Sequence, residues 1–419
     1  MRRLPQALNS IAAAGHAGYP LRHESAVGHV TGQASYVDDR RGSADTLYAY
    51  PGLSTIARGN IVSMDLTAVQ AAPGVVDVIT VSDIRGHRDI GAVFPGDPLL
   101  ADGEVLFYGQ VLFVVVADSQ LAARRAARMA QVDYAPVDSH LDVEEALAQA
   151  YFVRPSHRQT RGDLKRAQAG ADRQLKGEFH SGGQEQMYLE GQAAMAVPQD
   201  DGGMLVHAST QHPSEGQKLV AEVLGLPMSM VTVDVRRMGG AFGGKETNAN
   251  QWSCIAALAA HRSGRCVKLR LARADDFAVT GKRHPFFSRY TVAFDNDGTI
   301  RGLDLELAGN CGMSPDLSDA IVDRAMFHSD NCYFLPATDI RGHRVRTDTV
   351  SNTAFRGFGG PQGMLVMEHI IEQVATATGL DPLDVRKRNF YRAENGRDTT
   401  HYGQKIEQHI IGPLVDRLE

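Results

Sequence analysis

Cysteine is scarce in this chain of 419 residues, and its spacing suits no metal cluster. Cys254, Cys266, Cys311 and Cys332 are scattered, with no CxxC pair among them. They read as reduced core thiols of a cytoplasmic protein, and a redox protein built this way holds no iron–sulfur cluster of its own. No apolar run reaches the roughly 18 residues of a membrane span. Arg2 and Arg3 open the chain, but Pro5, Gln6, Asn9 and Ser10 make a poor signal-peptide core, so residues 1–23 read as a frayed N-terminal segment. Neither sign of charge dominates. The 43 Lys and Arg against 49 Asp and Glu give −6, which favours neither a nucleic acid nor an anionic membrane as partner. No GxGxxG follows a strand pattern, so nothing suggests a flavin or nicotinamide site. Internal repeats and low-complexity stretches are missing as well.

What is present is an ordinary globular composition, 43% hydrophobic and 22% charged, in a chain long enough for two or three domains. A first unit spans about 24–138. Its runs Val75–Thr80 and Val111–Ala117 are β-rich, the second apolar enough to be buried on both faces. Ser119 caps a helix through Met129, whose Arg124, Arg125 and Arg128 read as its solvated side. A polar, helix-prone connector follows over 139–170. From 171 onward β-like runs (Ala193–Val197, Met204–Ala208, Val231–Arg236, Cys266–Leu271, Tyr290–Phe294, Ile300–Leu307) alternate with helices (Ser214–Leu224, Ala249–Ser263, Gln362–Thr378, Pro382–Asn389). Asn296-Asp-Gly298 marks a hairpin turn. The mixture is α+β, and its strand order is not readable from the pattern.

Two glycine-rich segments carry the chemistry. Gly239-Gly-Ala-Phe-Gly-Gly-Lys-Glu246 follows a strand pattern and fits GxxxxGK, but the next residue is Glu246 where a P-loop needs Ser or Thr for Mg²⁺. A carboxylate there excludes a nucleotide-phosphate cradle. What remains is a loop almost bare of side chains, through which a flat or anionic ligand can approach the backbone amides, with Lys245 and Glu246 as its charges. In the second segment, Ser351–Gln362, Arg356 sits between Phe355 and Phe358 among Gly357, Gly359 and Gly360. A guanidinium there can grip an anion, and the rings offer a face to a planar heterocycle. The plain alternatives are a packing turn and an arginine that tethers two loops.

With four further segments these resemble the motifs of the xanthine dehydrogenase/oxidase family, in the family's order. The others are Gly182–Glu190, Ser209–Pro213, Thr280–Pro285 and Asp323–His328, and the resemblance extends from about Leu21 to Tyr391. It implies an α/β hammerhead domain over 24–138 and, over 171–419, the first part of a molybdopterin-binding domain. The activity implied is oxidation of hypoxanthine or xanthine by hydroxylation of a ring carbon with water-derived oxygen, in purine catabolism. Gln211 is similar to the glutamine beside the oxo ligand of molybdenum, and Glu246 resembles the glutamate that orients the purine. Arg324 looks like the arginine facing the purine carbonyl, and Phe358 like the phenylalanine packed on the ring. Gly240, Ala241, Phe242 and Arg356 correspond to positions on the pterin side of the cofactor. No side chain is implied as a direct metal ligand. For Arg324, the plain reading beside Asp323 is a surface ion pair.

The resemblance also implies parts beyond this chain. These are an iron–sulfur/FAD subunit or domain and the remaining C-terminal half, which supplies the general base. Glu190, Glu246 and Glu368 do not match that base's motif, so the chain alone is expected to be inactive, and with half of the expected cofactor contacts missing it is expected to hold the cofactor weakly or not at all. Ala241 replaces a glycine usual in the family, with its methyl expected to face the cofactor region. Gln186 and Met187 replace a common His-Phe pair. Two alternatives remain: a hydroxylase of another aromatic N-heterocycle or an aldehyde, and a non-catalytic fragment without cofactor.

Overall fold

The computed structural model describes residues 23–419, so the N-terminal segment expected over 1–23 lies, but for His23, outside the described residues. Its largest sheet has seven strands in the order Val231–Asp234, Met204–Ala208, Ala193–Pro198, Val267–Arg270, Leu47–Leu53, Val111–Ala117, Val75–Ile79. Every residue of Val111–Ala117 is buried. The cause is two-sided packing. Val114 and Val116 enter one core with Leu219, Trp252 and Leu258, whereas Phe113 and Val115 enter a second with Leu66, Val69 and Ala123. A strand that feeds two cores has no polar face, which explains its unbroken apolar run.

This sheet joins stretches that the sequence pattern separates. Leu47–Leu53 pairs in parallel with Val267–Arg270, Leu47 opposite Val267, so strands from before and after the expected 139–170 connector share one hydrogen-bonded layer. The connector itself is not helix-prone throughout. It contains the ten-residue strand Phe152–Arg161 between two short helices, Val143–Ala148 and Leu164–Gly170. That strand pairs with Thr338–Arg346 at the edge of a second, five-stranded sheet. Its polar composition misled because an edge strand with one solvated face keeps its charges.

The remaining strands of that sheet are Ile300–Gly312, Phe286–Phe294 and Arg173–Ser181. Helices Ser318–Phe327 and Gly360–Thr378 pack on its apolar face through Val322, Met326, Val366 and Ile370. The Phe286–Phe294 and Ile300–Gly312 strands are antiparallel across the expected hairpin, with Gly298 at φ +84. Ser119 caps its helix by accepting from the Ala122 amide, and Ala249–Ser263 and Pro382–Asn389 are helices with the expected bounds. Strands Gly59–Asp65, Gln131–Pro136 and the short Glu104–Val105 form a third sheet.

Candidate functional site

After the strand Val231–Asp234 the Gly239–Glu246 loop turns through left-handed backbone, with φ +93 at Gly240, +58 at Phe242 and +104 at Gly243. Glycine takes that conformation freely, but an aromatic residue does so at a cost, and such strain persists where a site requires it. Phe242 is 48% exposed, held outward. A Cβ at Gly243 would stand 2.5 Å from the Ala354 carbonyl, and one at Gly244 2.8 Å from the Gln186 carboxamide. The loop is thus pressed onto the Ser351–Gln362 segment with no side chain between them. Three bonds fasten the seam. The Arg356 amide donates to the Phe242 carbonyl (2.9 Å), Gln186 Nε2 donates to the Ala354 carbonyl (3.0 Å), and the Thr247 and Thr353 hydroxyls meet at 3.1 Å.

Lys245, expected to stand with Glu246 as a charge presented by the loop, points the other way. Its side chain is wholly buried, with Nζ donating to the Glu190 carbonyl (2.6 Å) and Ser209 Oγ (2.8 Å), 3.8 Å from Glu190 Oε2 and 4.6 Å from the Tyr188 ring centre. Burial pushes its pKa down to about 8, against the pull of Glu190 and Asp276. Glu190 in turn accepts from the Val37 amide, Ser209 Oγ and the Gly239 amide. A lysine engaged this way cannot meet a ligand's phosphate. The sequence pattern missed it because an anchor behind a loop and a ligand contact in front of it have the same spacing.

On the outer side, Gln211 is exposed, and its Oε1 accepts from the Gly243 amide (2.8 Å) and the Lys245 amide (3.4 Å). With the oxygen so engaged, the carboxamide NH₂ faces away from the loop as a free donor. Glu246 is half-buried, and burial, with Glu215 nearby, pushes its carboxyl above the usual range while His212 opposes the shift. Ala241 is buried, so its methyl is packed within the protein rather than offered outward.

The second segment is held against a helix. Gly359 has φ +94, and its Cβ would lie 2.0 Å from the Ile321 carbonyl; one at Gly363 would lie 2.2 Å from that of Ala325. This close approach sets Phe358, itself left-handed at φ +50, beside Arg324, whose guanidinium carbon is 6.0 Å from the ring centre. Arg324 is exposed. Asp323 does not take it: that carboxylate pairs with the wholly buried Arg344 and with His157 Nδ1 (2.7 Å). Among the described residues no carboxylate reaches Arg324.

Arg356 is exposed too, but the guanidinium lying over Phe355, at 4.0 Å, belongs to Arg283. Arg283 comes from the Thr280–Pro285 segment, 73 residues away, and no local pattern could place it there. Its Nη2 donates to the Arg356 carbonyl (2.9 Å) and its Nε to Gln184 Oε1 (2.9 Å). Glu368 lies outside this group, bonded to Asn331, Tyr333 and Arg386. Among the described residues no group of three His, Cys, Asp or Glu side chains is arranged to hold a metal ion. The two loops do fit a flat, anionic ligand: backbone free of side chains, the exposed Phe242 and the half-buried Phe358, and beside them a guanidinium with an orphaned buried nitrogen, Arg283 Nη1.

Residues 144–390 match the model of the molybdopterin cofactor-binding domain, and residues 31–138 that of the aldehyde oxidase and xanthine dehydrogenase a/b hammerhead domain. The chain belongs to the xanthine dehydrogenase/oxidase family. Like the rest of that family it carries a site for the molybdenum cofactor, molybdopterin. Xanthine dehydrogenase of Drosophila subobscura is 42% identical over 402 residues, which are 95% of this chain and 30% of that protein. Aldehyde oxidase 1 of Oryctolagus cuniculus is 41% identical over 391 residues, 93% of this chain and 29% of that one. The chain therefore spans about 30% of the length of these family members. The aldehyde oxidoreductase of Desulfovibrio gigas has the same fold, with a TM-score of 0.87 and 29% identity over 96% of this chain and 46% of its own.

Proposed function

We propose that this chain forms the purine-orienting wall of a molybdenum hydroxylase that oxidises hypoxanthine or xanthine. The observation that carries this reading is Arg324. It stands exposed and unclaimed by Asp323, beside an aromatic ring held in strained backbone. An exposed guanidinium beside a ring face suits a planar substrate with a carbonyl oxygen that gains negative charge during reaction. Phe358 packs on the heterocycle. Glu246, half-buried with its carboxyl pushed above the usual range, hydrogen-bonds its ring nitrogens or carbonyl and sets its orientation. When bound, the molybdenum cofactor supplies the oxygen-transfer and electron-accepting chemistry. Gln211 would offer its NH₂ to the cofactor's oxygen ligand, while Phe242, Arg356 and the backbone of Gly240 and Ala241 would line the pterin side. The general base and the electron relay, iron–sulfur clusters and flavin, belong to parts of the protein or partner beyond this chain.

A second reading, a hydroxylase of aldehydes or of another aromatic N-heterocycle, is favoured by one fact: an aldehyde oxidase is as similar to this chain as a xanthine dehydrogenase is. Arg324→Met separates the two. Turnover of xanthine by the complete enzyme should fall by roughly 10²–10³, in line with loss of one charged donor at a developing oxyanion. Aldehyde turnover should fall far less. An equal loss with both substrates would give Arg324 a structural role and sink the purine reading.

A further inference from the structure

Among the described residues Arg283 is a half-buried cation without a counter-ion. Two of its three nitrogens are engaged by neutral oxygens, those of Gln184 and of the Arg356 carbonyl, and its Nη1 is buried with no partner. Its near neighbour Glu185 is already held by Lys282 at 2.8 Å. Burial pushes the Arg283 pKa down, with no carboxylate opposing the shift. A tether between Gln184 and the Arg356 carbonyl needs hydrogen-bond donors but no charge, and a neutral glutamine would supply them without the cost of burying a cation. The charge therefore has a use of its own. Arg356, exposed on the loop whose carbonyl Arg283 holds, adds a second guanidinium, and the Phe355 ring on which Arg283 stacks fixes its plane. Two arginines with the fork of one pre-set by stacking form a recognition site for an oxyanion.

We propose that Arg283 is a further cofactor-binding residue, its Nη1 edge taking an oxyanion carried by the molybdopterin cofactor alongside Arg356. This rests on the reading of the two glycine-rich loops as the cofactor's seat. Arg283→Gln removes the charge but keeps a donor, and Arg283→Lys keeps the charge but loses the fork. In the complete enzyme, pterin per polypeptide, read as the fluorescence of the oxidised pterin released on denaturation, should decay in dialysis about tenfold faster for Arg283→Gln. Arg283→Lys should stay within about threefold of the unaltered protein. Inorganic phosphate, compared with chloride at equal ionic strength, should speed the loss from the unaltered protein and leave that from Arg283→Gln unchanged. Equal losses from the two variants, with equal thermal midpoints, would reduce Arg283 to a tether and overturn the proposal. So would unaltered retention in Arg283→Gln. An unaltered enzyme that holds no pterin at all would overturn the reading of the loops themselves.

Discussion

The two glycine-rich loops have nearly the same composition and are fixed by opposite means. Gly239–Glu246 is anchored from behind by charge: a buried lysine and a buried glutamate clasp the Gly239 amide, the Glu190 carbonyl and Ser209. Ser351–Gln362 is anchored by the absence of atoms, since Gly359 and Gly363 let the chain touch the carbonyls of the Ser318–Phe327 helix. Either device leaves the outward side chains, Phe242 and Glu246 on one loop and Arg356 and Phe358 on the other, free for a ligand. A glycine-rich loop is therefore not a function in itself. Its meaning depends on which face is fastened and by what.

The difference can be broken first at the charged anchor. Lys245→Met leaves Glu190 buried beside two unsatisfied acceptors, and breaking one side of a buried pair costs about 3–5 kcal/mol. Urea denaturation should show that loss; a loss under 1 kcal/mol would mean that the ion pair does not hold the loop. Lys245 also gives the anchor a pH signature. Its folded pKa of about 8 lies below the ordinary 10.5, so the unfolded chain binds the extra proton between those values. From pH 8 to 10.5 the stability of the unaltered protein relative to Lys245→Met should therefore rise, because the buried tyrosines and cysteines whose raised values act in the opposite sense are common to both.

The atom-free anchor breaks differently. Alanine is the better helix former, by about 1 kcal/mol, so Gly363→Ala would stabilise an exposed helix. Here the new methyl meets a main-chain carbonyl at 2.2 Å, which cannot swing aside, and overpacking of about 1–3 kcal/mol should win. A net gain in thermal midpoint for Gly363→Ala would show that the contact is slack.

A smaller effect tests the ground beneath both loops, where Asp97 and Asp316 face a cavity of about 70 Å³ that Thr247, Asn248 and Ser351 also line. Burial and mutual repulsion raise Asp97 to about 7, and burial raises Asp316 to about 6. With folded values above the ordinary 3.8, the native state takes up protons first. The pair's destabilisation is present above pH 7 and relieved as pH falls toward 4. Asp316→Asn should thus stabilise the fold by about 1–2 kcal/mol at pH 8 and by little at pH 4. Buried His284 has the opposite sign. Held neutral down to about 3, it costs stability as pH falls below 6.5, so the difference between Asp316→Asn and the unaltered protein isolates the aspartates. A difference independent of pH would rule out the charge repulsion.

Much of the site was legible because its motifs are local. The exclusion of a P-loop at Glu246 needed one residue type, and the buried Lys245 adds a second, independent reason. The isolation of Arg324 was not legible, because it depends on Arg344, 20 positions on, capturing Asp323 first. Arg283 over Phe355 was invisible for the same cause: long-range stacking leaves no local spacing.

The chain's own pattern determined the α+β class, the helix Ala249–Ser263 and the doubly buried strand Val111–Ala117, because periodicity and uniform apolarity follow from the faces a segment buries. Which strands lie side by side was decided only in three dimensions. Leu47–Leu53 joins Val267–Arg270 across some 200 residues, and the polar Phe152–Arg161 finds an edge where half its side chains can stay wet. Pairing joins backbone amides and carbonyls, which are alike in every residue but proline, so the sequence names the strands' faces and leaves their neighbours to packing.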